Sequence, residues 1–360
     1  MLLPHEIAAL QEIEQLLRDS GSLQPSDSLP ILSKDEYASD PRQCFAYAEN
    51  NTVLALSLPS CNLTLLPESL GQLTNLQQLD VDNNQLTSLP DSLGTLTALK
   101  SLRVMHNRLT TLPESFWQLT NLEILFLGDN PLNELPEQLG ALHSLTHLYI
   151  HSSNLATLPE SIDALTKLHT LDLGHNKRLA TLPDALGKLR NLAFLYLSDN
   201  QLSVLPEALL ATLPNLLYLN ATDNQLTALP ESIGHLTKLI ELRLYNNQLT
   251  TLPKSIGNLR SLKELHLHDN RLTTLPDSLG TLRSLTLLDL RNNQLTDLPN
   301  SLSDLQALTF LDLRANNLVV LPAGIGDLPR LEKLDLRWNK LRSLPDWIQR
   351  LEQRGCTVFT

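Results

Sequence analysis

At 360 residues the chain reaches the size at which a single compact core stops growing, which leaves two domains or an elongated repeat. Aromatic residues make up 4% and hydrophobic residues 42%, so one aliphatic residue, leucine, must build most of the core. A net charge of −12 argues against nucleic acid and anionic membrane surfaces as partners, because both recruit basic patches.

In chain order, residues 1–45 are expected to form an N-terminal capping helix and loop. Leu3, Ile7, Leu10, Ile13, Leu16 and Leu17 mark one apolar stripe of an amphipathic helix. Gly21 to Pro41, with its prolines, serines and aspartates, reads as a loop or short linker. Glu6, Glu12 and Glu14 stand where a secretory leader would carry basic residues, so no cleavable signal peptide is expected. No run of 18 apolar residues occurs, so no membrane span is expected. Cys44, Cys61 and Cys356 are too few, odd in number and too scattered for a disulfide framework. The expected location is therefore the cytoplasm, with export into a host cell without a cleavable signal as the alternative.

Residues 46–345 are governed by a repeat. Leu76-Gln-Gln-Leu79-Asp-Val81-Asp-Asn-Asn84-Gln-Leu86-Thr-Ser-Leu89-Pro90 aligns with Leu262-Lys-Glu-Leu265-His-Leu267-His-Asp-Asn270-Arg-Leu272-Thr-Thr-Leu275-Pro276. The shared template is LxxLxLxxNxLxxLP. Its asparagine column runs from position 61 to 339 in thirteen units, ten of twelve steps being 23 residues and two being 24. The longer steps hold an extra residue near Lys177-Arg178 and the stretch Glu207 to Thr212. Leucines alternating at period two make one short strand per unit, leucines inward and intervening residues outward. One unit cannot bury its leucine face alone, so the units must stack into a parallel ladder of roughly 4.8 Å per step.

The asparagine turns the chain off the strand and satisfies backbone groups in the bend. Cys61 and Ser153 replace it in two units, and a looser turn is expected at Ser153. On the back of each unit, Leu-Pro is followed by an acid in ten of thirteen cases, such as Glu114, Glu137 and Asp184. Proline suits a first helical position and an acid complements the first turn, so short α or 3₁₀ turns are expected there. Glycines such as Gly71, Gly94 and Gly234 read as left-handed stops of those turns. Trp117 occupies this glycine position in its own unit, as either an exposed contact or drift. Residues 346–360 read as a C-terminal cap, a helix stopped at Gly355 and then a short strand; no further domain is expected after it.

With those residues, the chain resembles the leucine-rich-repeat superfamily, in its 23-residue LPxxLxxLxxLxxLxLxxNxLxxLP class. That class is found in Ras-suppressor-like and plant intracellular Ras-group-related proteins and in many bacterial ones. The match covers about Val53 to Pro345. The resemblance implies an α/β solenoid, a curved horseshoe with a parallel sheet on the concave face and short helical turns on the convex face. It also implies protein binding through the concave sheet. Some bacterial relatives are delivered into host cells, certain of them with a ubiquitin-ligase domain after the repeats.

The outward column of the strands holds Arg103, Phe126, Tyr149, Asp172, Tyr196, Asn220, Arg243 and His266. Two positions earlier stand His147, Phe194 and Tyr218, and two later Met105, His151, Tyr245 and His268. Six aromatics thus project from the central units. Their neighbours at 125, 127, 148, 150, 195 and 197 already fill the core, so burial does not explain them. Exposed clustered Tyr and Phe have the composition of interaction hot spots. The competing reading is a self-packing ladder, since aromatics favour strands and stack across them. The protein-binding residues read from these columns are Phe126, His147, Tyr149, His151, Phe194, Tyr196, Tyr218, Arg243 and Tyr245.

Farther on, Asp289-Leu-Arg291, Asp312-Leu-Arg314 and Asp335-Leu-Arg337 repeat, with acid and base columns expected to pair as a solvated ladder and Trp338 at its edge. His147 and His151 sit two strand steps apart, roughly 13 Å, too far for one zinc ion, so no metal is expected. No P-loop, dinucleotide fingerprint, HExxH or GxSxG motif occurs, and no catalytic residue or cofactor is expected. The function expected is a non-catalytic scaffold for a protein partner, monomer favoured. A secreted bacterial effector and a self-associating structural protein are the alternatives.

Overall fold

The computed structural model describes residues 2–32 and 44–360; most of the second half of the expected N-terminal loop lies outside them. The chain divides into two compact units, residues 1–177 and 178–360.

The first unit opens with helix α1, Pro4–Asp19. Ala9, Leu10, Ile13 and Leu17, all at most 5% exposed, are its buried stripe. Glu6 is buried as well, its carboxylate accepting the backbone N–H of Leu3 at 3.3 Å and of Val53 at 3.2 Å. This one side chain closes its own helix and ties it to the first repeat. Strand β1, Ile31–Leu32, pairs in parallel with β2, Phe45–Glu49. Strand β2 then pairs antiparallel with β3, Thr52–Ser57. Asn50 and Asn51 connect them with φ of 52° and 66°, the two left-handed residues a tight hairpin requires. The hairpin returns the chain so that Cys44 and Cys61 meet in a disulfide. One bridge, then, forms where scattered spacing suggested none, because strand pairing rather than sequence distance sets the approach.

From β3 the ladder is parallel, one three-residue strand per unit: β4 to β8 run from Gln78–Asp80 to Thr170–Asp172. In the second unit, β9 to β15 run from Phe194–Tyr196 to Lys333–Asp335, and β16, Thr357–Phe359, adds to the end. Each unit is therefore a solenoid, as its period requires. Leu102, Leu125 and Leu148 in the first, and Leu195, Leu219 and Leu242 in the second, are at most 1% exposed. The back carries 3₁₀ turns such as Glu68–Gln72, and one α-helical turn, α2, Glu207–Ala211, absorbs the extra residue of its longer repeat. The C-terminal helix α3, Trp347–Gln353, ends at Gly355 with φ 91°. Among the described residues no helix is long and apolar enough to cross a membrane.

The asparagine works between neighbouring units. Asn107 Nδ2 donates to the carbonyls of Val104 and Met105 in its own unit and Val81 in the preceding one, while its Oδ1 accepts Leu86 N–H at 3.0 Å. The residue just before the column, from Ser60 to Trp338, holds φ between 51° and 60° in all thirteen units, a strained turn that the amide secures wherever the column holds asparagine. At Ser153 the rung is missing: its buried hydroxyl has no hydrogen-bond partner among the described residues, and Leu132 N–H turns instead to Asn130 O. Ser153→Asn is therefore expected to raise stability by about 1 kcal/mol in a urea titration. A lowered midpoint would show that the turn has no room for the amide.

Two expectations for the back face, the proline position and the glycine stops, need correction. Proline precedes each turn in extended conformation (Pro67 φ −77°, ψ 152°) and the acid is the first helical residue. The acid also caps the next turn, not its own: Glu68 accepts from Asp91 N–H and Ser92 N–H at 3.2 and 2.9 Å, and Glu137 does the same for Glu160 and Ser161. These hydrogen bonds, that from Ser92 N–H foremost, hold the Glu68 carboxyl below its ordinary range. The repeat glycines are not left-handed; among the described residues the glycines with positive φ are Gly21 and Gly355. A Cβ on Gly71 would lie 2.6 Å from Ser92 Cβ, so glycine is there to let successive turns touch. Trp117, in the same position, is buried at 6% exposure edge-on to Phe116 and is not a surface contact.

Candidate functional site

The outward columns emerge in the register read from the sequence. In the first unit Arg103 pairs with Phe126 and Phe126 with Tyr149. In the second Tyr196 pairs with Asn220 and Asn220 with Arg243. The parallel ladder places register partners about 4.8 Å apart, which is ring-stacking distance, so the aromatics meet across strands.

In the first unit the Phe126 and Tyr149 rings stack at 4.5 Å and 4°, and the Arg103 guanidinium lies 4.3 Å over Phe126. Arg103 is itself held by Asp82 at 2.6 Å and Asp80 at 3.4 Å. Burial pushes the Asp80 carboxyl up. His147 packs beside Tyr149 at 6.4 Å and His169 at 5.7 Å. Burial, then the neighbouring His169, lowers the His147 pKa, so this ring is neutral at pH 7. His151 packs over Gly128 and sits 3.5 Å from Asp129, which also holds His106 at 3.5 Å.

In the second unit Tyr218 is the hub, 5.0 Å from Tyr196 and 6.4 Å from Phe194, with the Arg243 guanidinium 5.8 Å over its ring. Arg243 is fixed by an ion pair with Glu241. Burial raises the Tyr218 pKa, so its hydroxyl remains protonated. Tyr245 instead stacks on His268 at 4.3 Å and 12°. The structure thus sorts the predicted residues into two groups, Phe126, His147, Tyr149 and His151 in one unit and Phe194, Tyr196, Tyr218, Arg243 and Tyr245 in the other. All nine are half-buried. The ladder reading and the exposed reading both hold in part: the rings pack on one another and still meet solvent.

The aspartate-arginine rows are not the solvated ladder expected. Asp312 and Asp335 are 1% exposed, Arg314 bridges both at 2.6 and 3.3 Å, and Arg337 holds Asp335 at 2.6 Å. Trp338 is 71% exposed, with Arg337 5.5 Å over its ring.

This geometry is an open surface: half-exposed rings and fixed guanidiniums on a rigid ladder. A recess of about 440 Å³ lies off the aromatic columns, lined by Lys100, Glu123, Thr146 and Lys167 among others. Models described as leucine rich repeat match residues 74–132 and 260–318, and one described as a leucine-rich repeat region matches 114–204 and 183–270. A leucine-rich-repeat protein of Leptospira interrogans is 35% identical over 83% of this chain and 82% of its own, with a TM-score of 0.69. The chain belongs to the leucine-rich-repeat family. An internalin of Listeria monocytogenes, 24% identical over 87% of this chain and 90% of its own, shares the fold at a TM-score of 0.72. The structure of the Toll–Spatzle complex from Drosophila is matched at 27% identity and TM-score 0.69, over 82% of this chain and 46% of that one. A comparison with curated proteins finds no match. Leucine-rich-repeat proteins commonly bind other proteins, and the family is generally non-catalytic.

Proposed function

We propose that this leucine-rich-repeat protein is a non-catalytic scaffold that binds a protein partner through the outward face of its strands. The observation that carries the reading is the presence of half-exposed aromatic rings, pre-organised by stacking and by fixed arginines, in both units. Rigid Tyr, Phe and Arg side chains lose little freedom on docking, which is how hot spots reach affinity. The Toll–Spatzle complex offers a precedent for a protein ligand on a related fold.

A pull-down with wild type beside the Phe126→Ala/Tyr196→Ala/Tyr218→Ala variant tests this, after circular dichroism shows that both fold alike. Retention by the wild type alone is expected. Equal retention by both would remove these residues from the interface.

One observation favours an exported protein over a cytoplasmic one: the Cys44–Cys61 disulfide, a bond that persists in oxidising surroundings. In that second reading the same face engages a host protein.

A further inference from the structure

Beyond the aromatic stacks, the strands Glu264–His266 and Leu287–Asp289 bring together a different chemistry. His266 and His268 are two residues apart and project from the same face, and Asp289 is the register partner of His266 on the next strand. One donor atom from each lies within 4.8 Å of the other two. His268 is 9% exposed, and its Nδ1 makes no hydrogen bond among the described residues. That nitrogen faces Asp289 Oδ2 at 3.1 Å. Two imidazoles converging on one buried carboxylate are an arrangement that a cation completes.

The 3.1 Å between His268 Nδ1 and Asp289 Oδ2 is close to what one ion needs. Neighbouring donors of a tetrahedral ion with bonds of about 2.0–2.1 Å stand about 3.3 Å apart. Stacking of Tyr245 fixes the His268 ring plane, and Arg291 N–H holds Asp289 Oδ1 at 3.2 Å. Glu264 hydrogen-bonds His266 Nε2 at 3.1 Å, the kind of carboxylate–imidazole contact that orients a metal-ligating histidine.

We propose that His266, His268 and Asp289 form a site for a divalent transition cation of the zinc class. A fourth coordination position is left open to water or to an incoming donor. Two nitrogen donors out of three select against calcium and magnesium, which take oxygen ligands. The sequence pattern pointed elsewhere because His147 and His151 are separated by four residues, whereas His266 and His268 are separated by two.

The test uses the full chain, stripped with chelator and titrated with zinc by calorimetry and with cobalt by visible absorption. One ion per chain and the intense visible bands of tetrahedral cobalt are expected. His268→Ala and, separately, His266→Gln should weaken binding by about tenfold or more, while His235→Ala, on a back turn, leaves it unchanged. The His266 side chain is 16% exposed against 11% for His268, and the His266→Gln change is the milder one, so its variant keeps the measurement interpretable even if His268→Ala unfolds locally. Absence of saturable zinc binding, equal binding by the His266→Gln variant, or equal affinity for calcium would each overturn the site. The metal alone is the probe, so the outcome is independent of protein docking.

Discussion

Asn107→Ala is expected to lower stability by about 3 kcal/mol, read as a shifted urea transition in Trp117 fluorescence and circular dichroism. The amide joins its own unit to the one before it, and its removal orphans the buried Leu86 N–H. The carbonyls fare better: Val81 O keeps Asn84 Nδ2 at 3.0 Å and Val104 O keeps Asn130 Nδ2 at 2.8 Å. The loss therefore comes from one unsatisfied donor, three lost hydrogen bonds and the left-handed His106 that they secure. Because each unit touches only its neighbours, the damage should begin locally and broaden the transition. A change under about 1 kcal/mol would mean that water replaces the amide, and that the ladder is decorative.

Arg314→Ala should be comparably costly, about 3 kcal/mol, for an electrostatic reason. Asp312 and Asp335 are 1% exposed, and Arg314 contacts both; Asp335 retains Arg337, but Asp312 is left with one backbone N–H, that of residue 314. A buried carboxylate without its cation is the expensive state, not the pair itself. Asp312→Asn combined with Arg314→Ala should accordingly recover much of the loss. If the double variant is no better than the single one, the pair is held for packing, not for charge.

How far these features could be read from the sequence follows from where their atoms lie. The leucine columns, the strand register and the outward rows from Arg103 to His266 are set within a unit and by its period, so they were legible. The α1 stripe and the stop at Gly355 were legible for the same reason. What was not legible depends on the adjoining unit or on distant chain. Glu68 caps the turn that begins at Asp91, Gly71 makes room for Ser92, and Asn107 accepts from Leu86, none of which a single repeat displays. The Asn50–Asn51 hairpin and the Cys44–Cys61 bond arise from pairing across β2 and β3. At the candidate site, the outward register of the nine residues was legible, but not their partition between two units or the stacking that holds the rings.

We propose that a protein docks on the outward strand face. The most direct measurement is a photocrosslinking residue placed at Tyr196, on that face, and separately at Lys254, which opens a 3₁₀ turn on the back. A covalent adduct with one protein from position 196, absent from position 254, is the expected result. An adduct formed from 254 alone would place the partner on the back of the repeats and contradict the account.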